Sequence, residues 1–212
     1  MRLALLGATG GIGGHVLAWA LDAGHTVHAL ARRPGAPSLA ALSPAAGLAV
    51  TAGDALDAGA VAEVIAEADA VVSALGPRGA KSPDLLARAA ANIVAAMEKT
   101  GVRRLICVSA AGAFISGDPH MNRLVKIILP RVLATQFADT RRMEDLVGRS
   151  DLDWTMVRAS RLTNGPATGR YRVSPDYPPR GGRKISRADV ANFIGAMLTE
   201  ASWVRSAPAL AY

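Results

Sequence analysis

Arg2-Leu3-Ala4-Leu5-Leu6-Gly7-Ala8-Thr9-Gly10-Gly11-Ile12-Gly13, running on into His15-Val16-Leu17-Ala18-Trp19-Ala20-Leu21, decides the fold of this chain. It reads as a strand, a tight glycine turn and a helix. Glycine is needed where the backbone turns sharply, where it approaches a pyrophosphate, and where helix and strand pack closely. The free N–H groups and the positive dipole end of the helix then face the phosphates. A glycine triplet alone is a weak signal, whereas one between a strand and a helix points to a dinucleotide site. The residues expected around the cofactor here are Gly7, Thr9, Gly10, Gly11, Ile12 and Gly13. The alternative is a glycine-rich turn that only packs.

Outward from that turn, strands and helices alternate. His25–Ala31 reads as a second strand, followed by Arg32-Arg33-Pro34-Gly35. Leu48–Thr51 is a third strand ending at Gly53-Asp54, and 57–67 a short helix. Ala70–Leu75 is a fourth strand ending at Gly76-Pro77. A helix over about 83–100 carries Leu85, Ala89, Ile93 and Met97 at i+4 steps and stops at Gly101. Arg104–Val108 is a fifth strand and Trp154–Val157 a sixth, with a loop and helical region over 112–149 between them. Val190, Phe193, Ile194, Met197 and Leu198 form the apolar face of a last helix. Ser186 sits at its N-cap, with Asp189 three residues on as a weak capping box.

Such alternation predicts an α/β, three-layer Rossmann fold: a doubly wound parallel sheet with helices on both faces. One NAD(P)-binding domain is expected over 1–212. The Pro/Gly-rich stretch 163–183 reads as part of a small substrate-covering region at about 159–185.

Composition narrows the function. At 212 residues, half of them apolar, the chain is globular. Its formal net charge of +7 comes almost wholly from arginine, because lysine stands only at positions 81, 99, 126 and 184. The arginines are spread along the chain with no basic tail and few aromatics, so nucleic acid is not the expected partner. An anionic small molecule explains the charge better. Cys107, the lone cysteine, lies in Leu105-Ile106-Cys107-Val108 and reads as a buried strand thiol. Glycines at 7, 10, 11, 13 and 14 break any signal-peptide core, and no apolar run reaches membrane-span length, so a cytoplasmic protein is expected.

The spacing G-x-x-G-x-x-G resembles the atypical short-chain dehydrogenase/reductase families, the NAD(P)H-binding or NmrA-like group. The resemblance spans nearly the whole chain: GDALD at 53–57, VVSALG at 71–76, ARAAANIVAAMEKTGVRRLICVSAAG at 87–112, SDLDWTMVRAS at 150–160 and ISRADVANFI at 185–194. In the glycine turn and the ARxxANIVAAM-like helix it looks similar to the biliverdin-IXβ reductase (flavin reductase) branch. In such a family the residues after the second strand read the adenosine ribose. An acid there accepts the 2′-hydroxyl of NAD, and arginine accommodates the 2′-phosphate of NADP. Arg32 and Arg33 occupy that place, so NADP(H) is the expected cofactor. A solvated basic turn is the other reading. The resemblance places Asp54 on the adenine amino group with Ala55 beside it, unless Asp54 merely caps a turn. It sets Ala74, Leu75 and Gly76 along the ribose and pyrophosphate, unless Gly76-Pro77 is only a tight turn. Arg158 and Ala159 fall at the nicotinamide, although relatives usually show proline where Ala159 stands.

The catalytic pattern departs from the superfamily. Typical members use Tyr-x-x-x-Lys, the lysine lowering the tyrosine pKa for proton transfer. Here Tyr171, Tyr177 and Tyr212 are the only tyrosines and none has lysine four positions on. The corresponding region reads Asp139-Thr140-Arg141-Arg142-Met143-Glu144. Ser109, ending the fifth strand, is the one catalytic candidate, as a donor to substrate or nicotinamide, or else as the partner of a strand-end backbone group. Glu144 reads as a helix-surface residue rather than a general base, His120 in the 112–122 loop as a solvated histidine or else an acid, and no metal-ligand cluster stands out. The leading reading is an NADPH-dependent reductase of a conjugated or aromatic acceptor, of the flavin- or biliverdin-reductase type, working without a Tyr-Lys pair. The alternative is a non-enzymatic NADP(H)-binding redox sensor with a protein partner. A sugar-nucleotide epimerase is disfavoured by the short C-terminal part and the missing tyrosine.

Overall fold

Strands buried on both faces of a sheet read as unbroken apolar runs, and the first strand, β1 (Arg2–Leu6), is buried from Leu3 to Leu6. The computed structural model describes residues 1–40, 47–76, 83–200 and 202–212. Pro77, named above with Gly76, lies outside them. Beside β1 run β2 (Thr26–Ala31), β3 (Leu48–Ala52) and β4 (Ala70–Ser73), then β5 (Arg104–Ala110) and β6 (Asp153–Ala159). All are parallel, in the order β3-β2-β1-β4-β5-β6. The chain winds one way from β1 and then the other from β4, so the switch point of this Rossmann sheet falls between β1 and β4. Open α/β sheets bind ligands at that crevice, beyond the carboxyl ends of the strands.

The period-2 alternation of β1 divides the core. Leu3 and Leu5 face α1 (Gly11–Asp22) and α7 (Arg187–Thr199), where Val16, Leu17, Val190 and Ile194 pack. Ala4 and Leu6 face α3 (Ala58–Ile65), α4 (Leu85–Thr100) and α6 (Ala134–Gly148), meeting Val61, Ile93, Met97 and Met143. Local signals set the helix ends. Asp57 accepts the amides of Gly59 (2.9 Å) and Ala60 (3.3 Å) to cap α3. Gly101, with φ 78°, ends α4 in the left-handed conformation. Where α7 crosses α1, Gly195 leaves room for the Trp19 indole, which lies too close for any Cβ.

The C-terminal part adds two strands to the expected parallel sheet. β10 (Pro208–Ala211) extends the sheet parallel to β6, and β8 (Arg172–Pro175) closes the edge antiparallel to β10. Between these, β7 (Arg161–Thr163) and β9 (Lys184–Ser186) form a small parallel ribbon. The stretch 163–183 therefore contains a strand. It escapes sequence reading because Arg172-Val173-Ser174-Pro175 is short, polar and proline-ended, as edge strands are.

Asp189 is also more than a weak capping box. Ser186 does cap α7 by accepting the Asp189 amide at 3.0 Å. The fully buried Asp189 carboxylate accepts from the Thr168 and Gly169 amides (2.8 and 2.9 Å), the Thr168 hydroxyl (2.9 Å) and the Tyr212 hydroxyl (2.6 Å). Burial alone would raise its pKa. The bonds from Tyr212, Gly169 and Thr168 outweigh that and hold it below the usual carboxylate value. The latch is therefore intact at neutral pH and is lost only as acid titrates the carboxylate below the ordinary aspartate range. It ties the stretch 163–183 to α7.

Within 112–149, a 3-10 turn (Ala111–Gly117) leads to α5 (Arg123–Val132) and then α6. No residue of α5 is buried. No helix among the described residues is long and apolar enough to cross a membrane.

Candidate functional site

The glycine turn is built from close backbone approaches. Gly7 takes φ 93°, and a Cβ there would stand 2.6 Å from the Ala74 carbonyl oxygen at the end of β4. The Gly10 amide donates to the Gly7 carbonyl at 2.9 Å. Gly13 lies against that same carbonyl, in space that no Cβ could share. The first turn of α1 carries no side-chain cap and no acid, so its amides and dipole are left for an anion. Thr9 is exposed at this edge, but the Ile12 side chain is buried in the core, which leaves its backbone amide for a ligand. The turn suits a pyrophosphate because side chains have been removed from it.

The adenosine side lies along the same edge. Arg32 and Arg33 are exposed directly after β2, and neither guanidinium makes an ion pair or hydrogen bond among the described residues. Asp54 follows β3, and its carboxylate accepts the Leu56 amide at 3.1 Å. Ala55 is buried, and its carbonyl accepts from Asn92 Nδ2 of α4 at 3.0 Å. Asn92 was not singled out from sequence; a polar residue amid the apolar positions of α4 was the available signal. Ala74 donates its amide to Leu6 at 2.9 Å, and Leu75 and Gly76 continue past β4 into the crevice.

At the far end of the edge the site is made of side chains. Register sets Ser109 of β5 beside Arg158 of β6. Glu144 of α6 reaches both, accepting the Ser109 hydroxyl in a short hydrogen bond. The Arg158 fork donates Nε to Oε1 at 3.1 Å and Nη2 to Oε2 at 2.7 Å, the two-point geometry that makes such pairs strong. The guanidinium stacks 3.7 Å above the Phe114 ring and donates Nη1 to the Asp176 carbonyl at 2.9 Å. Glu144 is therefore no helix-surface residue: it is 8% exposed because Arg158 and Ser109 supply the partners a buried carboxylate needs. The Ser109 proton is directed at Glu144, the Arg158 fork is turned into the protein, and Ala159 is buried in the core. Burial, with the Glu144 charge added, pushes the Cys107 thiol up to about 12, so it is an unreactive core group.

The stretch aligned with the missing Tyr-x-x-x-Lys has other duties. The Asp139 carboxylate accepts the Leu86 and Ala87 amides (2.8 and 3.1 Å), capping α4 from α6. Thr140 donates to the Gln136 carbonyl of its own helix at 2.9 Å.

Beyond β5 and β6 opens a cavity of about 860 Å³. Ala111, Gly112 and Ser160 line its floor, and Ile115, Met121, Val125 and Leu129 give it apolar walls. His120, Arg161 and Arg183 supply polar and cationic groups, and Pro178, Pro179 and Gly181–Arg183 cover one side. Ser160 Oγ is buried without a hydrogen-bond partner among the described residues. His120, read from sequence as a solvated loop residue, is exposed and lines this cavity.

The cofactor turn and the switch-point crevice are the parts of a dinucleotide-binding Rossmann domain. The sequence pattern of the NAD(P)H-binding family matches residues 7–201, and the chain belongs to that family. It is similar to a Burkholderia pseudomallei protein described as exported (28% identity, all of both chains, TM-score 0.79). It is also similar to ChuY, an anaerobilin reductase from Escherichia coli O157:H7 (26% identity, 100% of this chain and 97% of that one, TM-score 0.81). A Veillonella parvula short-chain dehydrogenase/reductase in complex with NADP shares the fold at 20% identity, over 100% of this chain and 94% of that one (TM-score 0.85).

Proposed function

We propose that this protein is an NADPH-dependent reductase of a conjugated, anionic acceptor bound in the cavity beyond β5 and β6. The observation that carries the reading is that cavity: apolar side chains with Arg161 and Arg183 among its lining, just past the carboxyl ends of β5 and β6 in the parallel sheet whose β1 end carries the glycine turn. Apolar walls suit a flat ring system, and the arginines suit its acidic substituents. The likeness to an anaerobilin reductase supports an acceptor of this kind. NADP(H) rather than NAD(H) rests on the exposed, unpaired Arg32 and Arg33.

When bound, NADPH supplies the hydride; a conjugated acceptor takes it at a ring atom and takes the accompanying proton from water. The chain's own residues position and exclude. The glycine turn holds the pyrophosphate through amides, and Arg32 with Arg33 hold the 2′-phosphate. Glu144 holds Ser109 and Arg158 at the ends of β5 and β6, from which the chain runs on into Ala111, Gly112 and Ser160 of the cavity lining. Nothing here needs a tyrosine with a lowered pKa, which fits a sequence without Tyr-x-x-x-Lys.

Steady-state oxidation of NADPH in the presence of FMN, quinones and biliverdin tests the proposal. Turnover with one of these is expected. Absence of turnover with all three would overturn it in favour of the second reading, an NADP(H) sensor acting through a protein partner. One observation favours that reading: α5 presents Leu124, Ile128 and Val132 to solvent at i, i+4 and i+8.

A further inference from the structure

We infer that Arg187, at the start of α7, clamps the cofactor pyrophosphate from the side opposite the glycine turn and ties the covering stretch to the occupied site. The inference rests on the cofactor site of the family and not on the identity of the acceptor. Its first ground is steric. A Cβ on Gly11 would stand 2.5 Å from Cδ and 2.8 Å from Nε of Arg187, so the arginine stem lies across the opening turn of α1. Gly11 is not among the closest backbone approaches of the turn, as Gly7 and Gly13 are. It makes room for a side chain arriving from α7.

The second ground is electrostatic. The α1 N-terminus has no capping side chain and no acid in its first turn. Arg187 therefore sets a full positive charge against the positive end of a helix dipole, and its head makes no ion pair among the described residues. Cation and dipole repel unless an anion stands between them. A pyrophosphate held by the turn amides is such an anion, and the planar fork of arginine matches its oxygens.

The third ground is the one side-chain hydrogen bond that Arg187 makes among the described residues. Nη1 donates to Asn164 Oδ1 at 2.5 Å, leaving Nε and Nη2 for the phosphate. Asn164 directly follows β7 and begins the stretch that runs to the cavity cover at Pro178–Arg183. One guanidinium thus touches both the cofactor turn and the root of the cover. A bound cofactor, by fixing Arg187, fixes Asn164 as well. Sequence alone gave no sign of this, since Arg187 reads as a first-turn residue of a helix remote from the glycine turn.

The test compares two ligands that share the adenosine 2′-phosphate and differ in the pyrophosphate. NADPH and adenosine 2′-monophosphate are titrated calorimetrically into wild type, Arg187→Ala and Arg187→Lys. Arg187→Ala is expected to weaken NADPH by roughly tenfold to a hundredfold while leaving the monophosphate within about twofold. Arg187→Lys should recover part of the loss, since it restores the charge without the fork. Unchanged NADPH affinity in Arg187→Ala overturns the clamp. So does an equal loss for both ligands, which would mark a structural role only. For the tie to the cover, amide hydrogen exchange over 164–170 should slow on NADPH binding in wild type and not in Asn164→Ala. Exchange unaffected by NADPH in wild type overturns that link.

Discussion

The two ends of the sheet edge prepare for their ligands by opposite means. At the β1–β4 end the site is backbone: a left-handed Gly7, a Gly13 pressed onto its carbonyl, and α1 amides that no side chain caps. At the β5–β6 end it is side chains: Glu144 from α6, Ser109 and Arg158 from adjacent strands, and Phe114 from the 3-10 turn, joined in one buried group. A backbone site fails all at once, because any added atom occupies the ligand's space. A side-chain site fails by parts, because each member has other partners. The variants below should separate the two.

The largest effect is expected at the glycine turn. A Cβ on Gly10 would stand 3.1 Å from the Gly7 carbonyl oxygen, already tight before the rest of a valine is added. Gly10→Val should abolish measurable NADPH binding in a calorimetric titration while circular dichroism shows a folded, helical protein. Retained affinity would mean that the nucleotide is held elsewhere and that the backbone character of this end is irrelevant to binding.

Next comes the buried ion pair. Glu144→Ala leaves the Arg158 guanidinium, 11% exposed, without its two-point partner and with only the exposed Asp176 carboxylate, 3.8 Å away. Removing one partner of a buried pair typically costs about 3–5 kcal/mol, most of it the penalty of the stranded charge. Urea denaturation should show a loss of that order. The double change Glu144→Leu/Arg158→Met should recover much of it, since apolar replacements of a buried pair are often tolerated. A loss below about 1 kcal/mol for the single change would be surface-pair behaviour and would contradict the burial of this end.

The same contrast explains which parts of the molecule were legible in sequence. The cofactor end was readable because its geometry is written in glycines next to one another, and because buried parallel strands show as apolar runs. The doubly wound parallel sheet, the helix that begins near Asp57 and the α4 stop at Gly101 all follow from such local signals. The acceptor end joins residues distant in sequence. Nothing near Glu144 announces Ser109 or Arg158, and by pattern alone it reads as surface. Asp139 capping α4, Asn92 holding the Ala55 carbonyl and Asp189 latching Thr168 and Tyr212 were hidden for the same reason. β8 and β10 carry no clear period, the one a polar, proline-ended edge strand and the other four residues that open on a proline.

A smaller effect is expected at the adenosine end, where side chains do enter. Arg32 and Arg33 are exposed and follow β2, so water weakens whatever they offer a phosphate. Replacing both by alanine should lower NADPH affinity by roughly tenfold to a hundredfold and leave NADH nearly unchanged, read by parallel titrations. Equal affinity of wild type for the two cofactors would remove any role for the arginines in cofactor choice.

The smallest effect is expected at Ser109. Its hydroxyl gives its proton to Glu144, so what remains for a ligand is an oxygen that accepts. Glu144 keeps its two-point bond to Arg158 when Ser109 is truncated, and the floor of the cavity stays in place. Losing one hydrogen bond of this kind costs about 0.5–1.5 kcal/mol. Ser109→Ala should therefore slow turnover only threefold to tenfold, roughly, with kcat reduced and the NADPH titration unchanged. A drop beyond about a thousandfold would require more than any single neutral hydrogen bond supplies. It would make Ser109 and Glu144 a proton relay, and the β5–β6 end a catalytic unit that fails all at once, as the glycine turn does.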